Sequence, residues 1–191
     1  MLLLSAPLGH GSTEVCSHII DQEKASGANG PVLYFFCSSA TKAPSTNLTH
    51  TLLSQIIRCS STGKANSIAA TFLNTLVSNH FQRRSQDFRK DDPLDKIIKN
   101  MLDDATDVEL IAALAGALKQ AGIIKLSIIV DGLWGPVIDC FVEFIIEAVP
   151  EITALLTCRH SSFGNMSDRV VCIEYDKERK GLHVPTLTSR S

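Results

Sequence analysis

Long apolar runs and a strong charge of one sign are both missing from this sequence of 191 residues. No stretch approaches the ~20 consecutive apolar residues that a membrane-spanning helix requires, and the leucines at positions 2–4 are too few for a signal-peptide core. Lysine and arginine number 18 against 20 aspartates and glutamates, which gives a formal net charge of −2. That balance provides no electrostatic basis for binding nucleic acid or an anionic membrane. We therefore expect a cytoplasmic protein.

Cysteines at metal-binding or redox spacing are also missing. The six cysteines form no C-x-x-C pair, and none has a histidine partner at the spacing of a metal site. Three of them lie in apolar, strand-like runs, where a free thiol behaves as a small hydrophobic side chain. We expect reduced structural thiols, which are typical of the cytosol. The six are Cys16, Cys37, Cys59, Cys140, Cys158 and Cys172.

The sequence does have enough apolar residues for one α/β domain. It is 45% hydrophobic, and its length suits a single full core. Short apolar runs alternate with segments of helical periodicity, which indicates a parallel sheet with crossover helices. We place this domain at residues 1–176 and a polar tail at 177–191. The predicted strands are 2–5, 32–37, 126–130, 152–157 and 170–174; the predicted helices are 13–24, 48–59, 68–81, 94–102, 106–120 and one from Pro136 onward.

The turn behind the first predicted strand has features of a phosphate-binding loop. Gly9 and Gly11 allow successive backbone N–H groups to converge on an anion, with the positive end of the next helix behind them. A P-loop also has a lysine where this chain has Ser12, whereas the hydroxyl that binds Mg²⁺ is kept as Thr13. Further along the chain, Asp131 and Arg159 each follow a predicted strand. Because ligands of such sheets bind at the carboxyl ends of the strands, we expect these groups to meet at one edge.

Taken together, the chain resembles a NACHT-type P-loop NTPase domain, and within that class the nephrocystin-like N-terminal domains of fungal signalling proteins. The resemblance covers about residues 2–175 and rests on the order and spacing of five blocks. They are 9–13, 32–37, 48–57, 127–133 and 154–159. It implies a three-layer P-loop NTPase fold, with a five-stranded, mainly parallel sheet flanked by helices.

The resemblance also implies a set of site residues. Nucleotide would contact residues 9–13 and Arg159, where Arg159 matches the sensor arginine near the γ-phosphate. The five loop residues are Gly9, His10, Gly11, Ser12 and Thr13. Thr13 and Asp131 would hold Mg²⁺ together with ATP or GTP. Relatives act as nucleotide-controlled switches that contact other protein chains or domains.

Two departures from the family pattern weaken this chemistry. Ser12 replaces the lysine, and loss of one charge-assisted phosphate contact costs roughly 1.5–3 kcal/mol of binding. Trp134 and Gly135 stand where acidic residues would orient the attacking water, and phosphoryl transfer needs both an oriented nucleophile and positive charge. We therefore predict a degenerate module that binds nucleotide weakly, does not hydrolyse it, and acts through protein–protein contacts.

Several alternatives stay open at the level of sequence. The retained residues also suit a working ATP- or GTP-dependent switch, and a small-molecule kinase shares the same fold. His10, Lys42 or Lys64 either supplies the missing cation or is an exposed residue, and Trp134 either stacks on a base or packs on protein. His160 is assigned no role. Because no effector, lid or repeat region is recognisable, we expect a stand-alone module or a fragment.

Overall fold

The computed structural model describes residues 2–5, 11–27, 30–37, 44–83, 93–133, 135–158, 171–176 and 181–183. The chain divides into two compact units. The first unit comprises Met1–Ala40, Lys125–Asp139 and Glu151–Ser191, and the second comprises Thr41–Ile124 and Cys140–Pro150.

The described residues form six strands and six helices, which confirms the predicted α/β class. The strands are β1 (Leu2–Ser5), β2 (Val32–Phe36), β3 (Lys125–Leu133), β4 (Glu151–Cys158), β5 (Val171–Asp176) and β6 (Gly181–His183). The helices are α1 (Ser12–Ser26), α2 (Pro44–Cys59), α3 (Thr62–Arg83), α4 (Leu94–Asp104), α5 (Asp107–Ala121) and α6 (Gly135–Ala148).

The six strands form one sheet in the order β2-β3-β4-β1-β5-β6. The first five strands pair in parallel, whereas β6 pairs antiparallel with β5. The expected count of five was therefore one strand short, and the extra strand lies inside the segment expected to be a polar tail. A strand of three residues is too short to show alternation, so its formation depends on pairing with β5 rather than on its own sequence.

In the first unit, α1 lies against the sheet and runs antiparallel to β3. Cys16 and Ile20 pack on Ile129 and Leu155 in a buried cluster. Near the carboxyl end of α1, the Ser127 hydroxyl donates to a Glu23 carboxylate oxygen at 2.7 Å. Because Ser127 lies near the start of β3, the amino end of α1 is brought to the finish of that strand.

In the second unit, three helices bury stripes of apolar side chains at i, i+4 spacing. Helix α5 packs against both α2 and α3. The buried residues are Leu48, Leu52 and Ile56 on α2, Ile68, Phe72 and Leu76 on α3, and Leu110, Leu114 and Leu118 on α5. Such stripes are the usual core-facing pattern of amphipathic helices.

Helix α5 begins and ends with specific caps. Thr106 and Glu109 form the predicted capping box, in which the Glu109 side chain accepts from the Thr106 N–H at 2.8 Å. At the other end, Gly122 adopts the left-handed conformation and Lys64 donates to the Ala121 carbonyl at 3.3 Å. None of the described helices is long and apolar enough to cross a lipid bilayer.

Candidate functional site

The candidate site lies where β3 ends and α1 begins. In this part of the sheet, the connections between strands run in opposite directions. From β1 the chain crosses to β2 at one edge of the sheet, whereas from β3 it steps the other way to β4. Connections that diverge in this manner leave a crevice at the carboxyl ends of the strands, and ligands of doubly wound sheets bind there.

The amino end of α1 supplies backbone donors to this crevice. Gly11 is the N-cap residue, with a φ of 78°, and its carbonyl accepts from the Val15 N–H at 3.0 Å. A left-handed φ at this position favours glycine. The first N–H groups of the helix have no partner within the helix and, with the helix dipole, favour an anion. Gly11 therefore gives the helix start that the sequence predicted.

Asp131 and Thr13, the two expected Mg²⁺ ligands, meet at this place although 118 residues separate them. The Thr13 hydroxyl donates to Oδ2 of Asp131 at an oxygen–oxygen distance of 2.5 Å. Asp131 is 7% exposed, whereas Thr13 lies at the surface. The contact joins the start of α1 to the end of β3 through side chains of the type that binds hard cations.

Thr157 completes the arrangement and was missed at the level of sequence. Its hydroxyl donates to Oδ1 of Asp131 and accepts the Gly132 N–H at 2.8 Å. Thr157 is buried near the end of β4. A threonine in an apolar strand is usually explained by its preference for β-structure. The sequence signal for Thr157 was therefore weak: it is a hydroxyl near the carboxyl end of β4, which pairs with the strand that carries Asp131.

A local irregularity of β3 brings these groups into register. The β3–β4 ladder pairs Val130 with Leu156 and then shifts, so that Leu133 pairs with Cys158. Gly132, between them, has a φ of 80°. A residue in the left-handed region bends the strand at such a bulge, and glycine does so without steric cost. The bend directs the Gly132 N–H to the Thr157 hydroxyl.

The electrostatics of Asp131 favour a cation. In the described part of the chain its side-chain partners are two hydroxyl groups, and no lysine, arginine or histidine there forms an ion pair with it. Buried charges in proteins are usually paired or bind metals. Burial, and secondarily the Asp131 charge, raise the pKa of the nearby Cys16 thiol from 9.0 to about 12. Among the described residues, Asp131 is therefore a carboxylate held by hydroxyl groups, and oxygen donors of this type suit a divalent cation.

Cys16 should consequently resist alkylation in the folded protein. A pKa of about 12 instead of 9.0 lowers the thiolate fraction at pH 8 about a thousandfold, and burial hinders the reagent further. Peptide mapping after treatment with iodoacetamide at pH 8 should find Cys59, which is exposed, modified and Cys16 protected. Equal labelling of both cysteines in the folded chain would contradict this assignment.

The raised pKa of Cys16 also makes stability depend on pH. Because the thiol pKa is higher in the folded than in the unfolded state, this group lowers the free energy of unfolding as the pH rises from about 9 towards 12.

The donor atoms fit magnesium better than zinc. Among the described residues there is no cluster of three or more histidines, cysteines, aspartates or glutamates. One carboxylate and one hydroxyl suit Mg²⁺, which binds proteins through few side chains and takes its other ligands from phosphate and water. Thr13 and Asp131 would hold the ion, and it would supply positive charge to a bound phosphate.

The other residues considered for this site have different outcomes. Lys64 is engaged at the end of α5 through Ala121, within the second unit, so its ammonium already has a partner. The remaining ones lie outside the described residues and stay predictions: Gly9, His10, Lys42, Trp134, Arg159 and His160. Four of the six cysteines are described, and no disulfide joins any two of these four.

A separate cavity of about 460 Å³ lies among α2, α3 and α4 in the second unit. Its walls include Leu53, Phe72, Leu73 and Leu102, and His50 is the one ionisable side chain among the described residues that line it. Phosphate groups need positive charge or converging N–H donors. The described lining, mostly apolar, therefore suits phosphate less well than the start of α1 does.

Comparison with known proteins identifies the first two thirds of the chain. The family model described as "Nephrocystin 3, N-terminal" matches residues 1–133, which include β1, the start of α1 and Asp131. No curated protein and no solved structure gives a significant match. The matched segment carries both residues that meet at the candidate site and most of the helices of the second unit. The chain belongs to the nephrocystin 3 N-terminal family.

Proposed function

We propose that this chain is a degenerate nucleotide-binding module of the NACHT P-loop type. It binds Mg-ATP or Mg-GTP weakly at the start of α1, holds the cation with Thr13 and Asp131, and does not hydrolyse the nucleotide. Its function is exerted through contacts with other protein chains or domains.

The observation that carries this proposal is the contact between Thr13 and Asp131. A hydroxyl at the first turn of a helix and a buried carboxylate at the end of a parallel strand lie 2.5 Å apart. Helix α1 also packs on the sheet through Cys16 and Ile20, so this polar contact is not its only attachment. Oxygen ligands next to the N–H groups of a helix start suit a cation bound to phosphate.

The order of the strands gives independent support. β1 lies between β4 and β5, and the loop after it leads directly into α1. A central first strand followed by a glycine-containing turn and a helix is the context in which a phosphate-binding loop acts. Membership of the nephrocystin 3 N-terminal family agrees with this context.

Two substitutions argue for binding without turnover. Ser12 is the first residue of α1, so a short hydroxyl stands where a lysine would reach the β- and γ-phosphates. Trp134 and Gly135 follow β3 in place of acidic residues. Because hydrolysis needs positioned positive charge and an oriented water, a role in protein contacts suits the chain better than catalysis.

Thermal unfolding with nucleotide tests the proposal. A ligand at a hundred times its dissociation constant stabilises the folded state by about 2.7 kcal/mol, and for this chain length each kcal/mol shifts Tm by roughly 2–4 °C. Millimolar Mg-ATP or Mg-GTP should raise Tm in the parent chain, and Thr13→Ala should remove that shift. Thr153→Ala, at an exposed position of β4, is the matched control and should respond like the parent. No shift with either nucleotide would refute nucleotide binding.

A working switch with slow NTPase activity is the second candidate, favoured by the intact Thr13–Asp131 contact. Release of inorganic phosphate separates the two functions. Turnover that disappears in Asp131→Asn would favour the switch, whereas binding without release would favour the degenerate module.

A further inference from the structure

We propose that Thr157 is a positioning residue that presents a single oxygen of Asp131, Oδ2, to the divalent cation. The inference rests on the proposed function, because it concerns the same cation. It adds a residue on β4 to the site, and it states how the carboxylate is oriented.

The direction of the Thr157 hydroxyl bond is fixed by its two partners. The Gly132 N–H donates to the Thr157 oxygen at 2.8 Å, so the hydroxyl proton has to point elsewhere. Among the described residues, the acceptor of this proton is Oδ1 of Asp131. A hydroxyl has one proton to donate, and here that proton is committed to the carboxylate.

Burial separates the two hydroxyls that contact Asp131. Thr157 is 2% exposed, and Oδ1 is therefore covered on the side of β4. Thr13 is exposed and contacts the other oxygen, Oδ2. After donating its proton, the Thr13 oxygen keeps two lone pairs that a cation can use. We therefore assign Oδ2 and the Thr13 hydroxyl to the cation, because their hydrogen bond lies on the exposed side of Asp131.

In this arrangement Oδ2 of the Asp131 carboxylate is the ligand atom for the cation. The other oxygen, Oδ1, is held by the Thr157 hydroxyl, which in turn accepts the Gly132 N–H. Partners that orient a metal ligand in this way typically change metal affinity by about 10–100-fold when they are removed. Loss of the Thr157 hydroxyl would let the Asp131 carboxylate rotate and would leave the Gly132 N–H without its acceptor. The first effect concerns the cation, and the second is visible without it.

Three variants of the full chain separate these effects. Thr157→Val keeps the shape and removes the hydroxyl, Thr157→Ser keeps the hydroxyl, and Thr153→Val makes the same change at an exposed position of β4. Thr157→Ala replaces the valine variant if that one does not fold. Binding of Mn²⁺ in the presence of ATP is followed by electron paramagnetic resonance. Amide hydrogen exchange of Gly132 is measured in the ligand-free protein.

We expect Thr157→Val to weaken Mn²⁺ binding at least tenfold and to speed exchange of the Gly132 amide, with both restored in Thr157→Ser and unchanged in Thr153→Val. Unchanged or tighter Mn²⁺ binding in a folded Thr157→Val chain would overturn the positioning role while leaving the proposed function intact. Absence of Mn²⁺–ATP binding in the parent chain would refute the proposed function, and with it the role of Thr157. Slow exchange of the Gly132 amide in Thr157→Val would show that the Thr157 hydroxyl is not the acceptor that protects this amide, and the positioning role would fail.

Discussion

Replacing Ser12 by lysine is expected to raise the affinity for Mg-ATP by about ten- to a hundredfold. The change restores one charge-assisted contact with phosphate, which is worth roughly 1.5–3 kcal/mol. Ser12 is the first residue of α1, directly after the left-handed Gly11 and before Thr13, so a long side chain there starts beside the helix N–H groups. Isothermal titration calorimetry of the parent and Ser12→Lys chains measures the gain.

The same substitution should slightly lower stability without nucleotide, because a cation at the amino end of a helix opposes the helix dipole by about 0.3–1 kcal/mol. Two controls isolate the contact. Ser12→Met adds length without charge, and Ser26→Lys adds the same charge at the far end of α1. Neither control should gain affinity. If Ser12→Lys binds nucleotide no better than Ser12→Met does, then the start of α1 is not a phosphate site and the proposed function fails.

Restored binding should not restore hydrolysis. The residues after Leu133 are Trp134 and Gly135, neither of which can accept a proton or orient water as a carboxylate does. A Ser12→Lys chain that binds tightly and releases no phosphate would therefore fit a module with two independent defects. The missing lysine weakens nucleotide binding, and the missing acidic residues prevent hydrolysis. In the proposed function, the Thr13 hydroxyl and the Asp131 carboxylate hold the cation and do not orient the attacking water.

Much of the fold was predictable because the relevant signals are local. The segment 126–130, which is apolar except for Ser127, predicted a central strand, and β3 is buried along nearly its whole length. The Thr106 and Glu109 pair predicted the start of α5 because a capping box needs only four residues of sequence. Boundaries were less predictable: α2 begins at Pro44 rather than at residue 48, since proline is accepted in the first turn of a helix.

The parts of the site that depend on pairing between strands were not predictable. The meeting of Thr13 and Asp131 was the exception, because the turn that leads from β1 into α1 and the end of β3 lie at the same edge of a parallel sheet. The role of Thr157 depends on a shift in the β3–β4 register near Gly132, and no local pattern reports a register. Strand β6 likewise exists through its pairing with β5. Both Thr157 and β6 were therefore missed because their roles depend on pairing between strands, which the sequence pattern does not reveal.

Gly30→Ala is expected to destabilise the protein by about 3 kcal/mol, the largest loss that we predict for a single methyl group. Gly30 has a φ of 77°, and an added Cβ would lie 2.5 Å from the Lys125 carbonyl oxygen and 3.2 Å from the carbonyl carbon. Both atoms belong to the backbone of β3, which cannot move aside like a side chain. The next residue, Pro31, accepts the Ser127 N–H at 3.1 Å, so displacement of this turn also disturbs the β2–β3 pairing.

Gly27→Ala is the matched control, since Gly27 has a φ of 58° but open space around the position of a Cβ. That variant bears the left-handed strain alone, about 1–2 kcal/mol. Urea unfolding of the three chains should therefore rank the parent above Gly27→Ala and Gly27→Ala above Gly30→Ala. At the end of the β2–β3 ladder, the Cys37 N–H donates to the Asp131 carbonyl at 2.8 Å. A shift of β2 would therefore also displace the backbone of Asp131. Equal losses in the two variants would mean that β2 adjusts freely, and Asp131 would then owe its position to β4 and Thr157 rather than to β2.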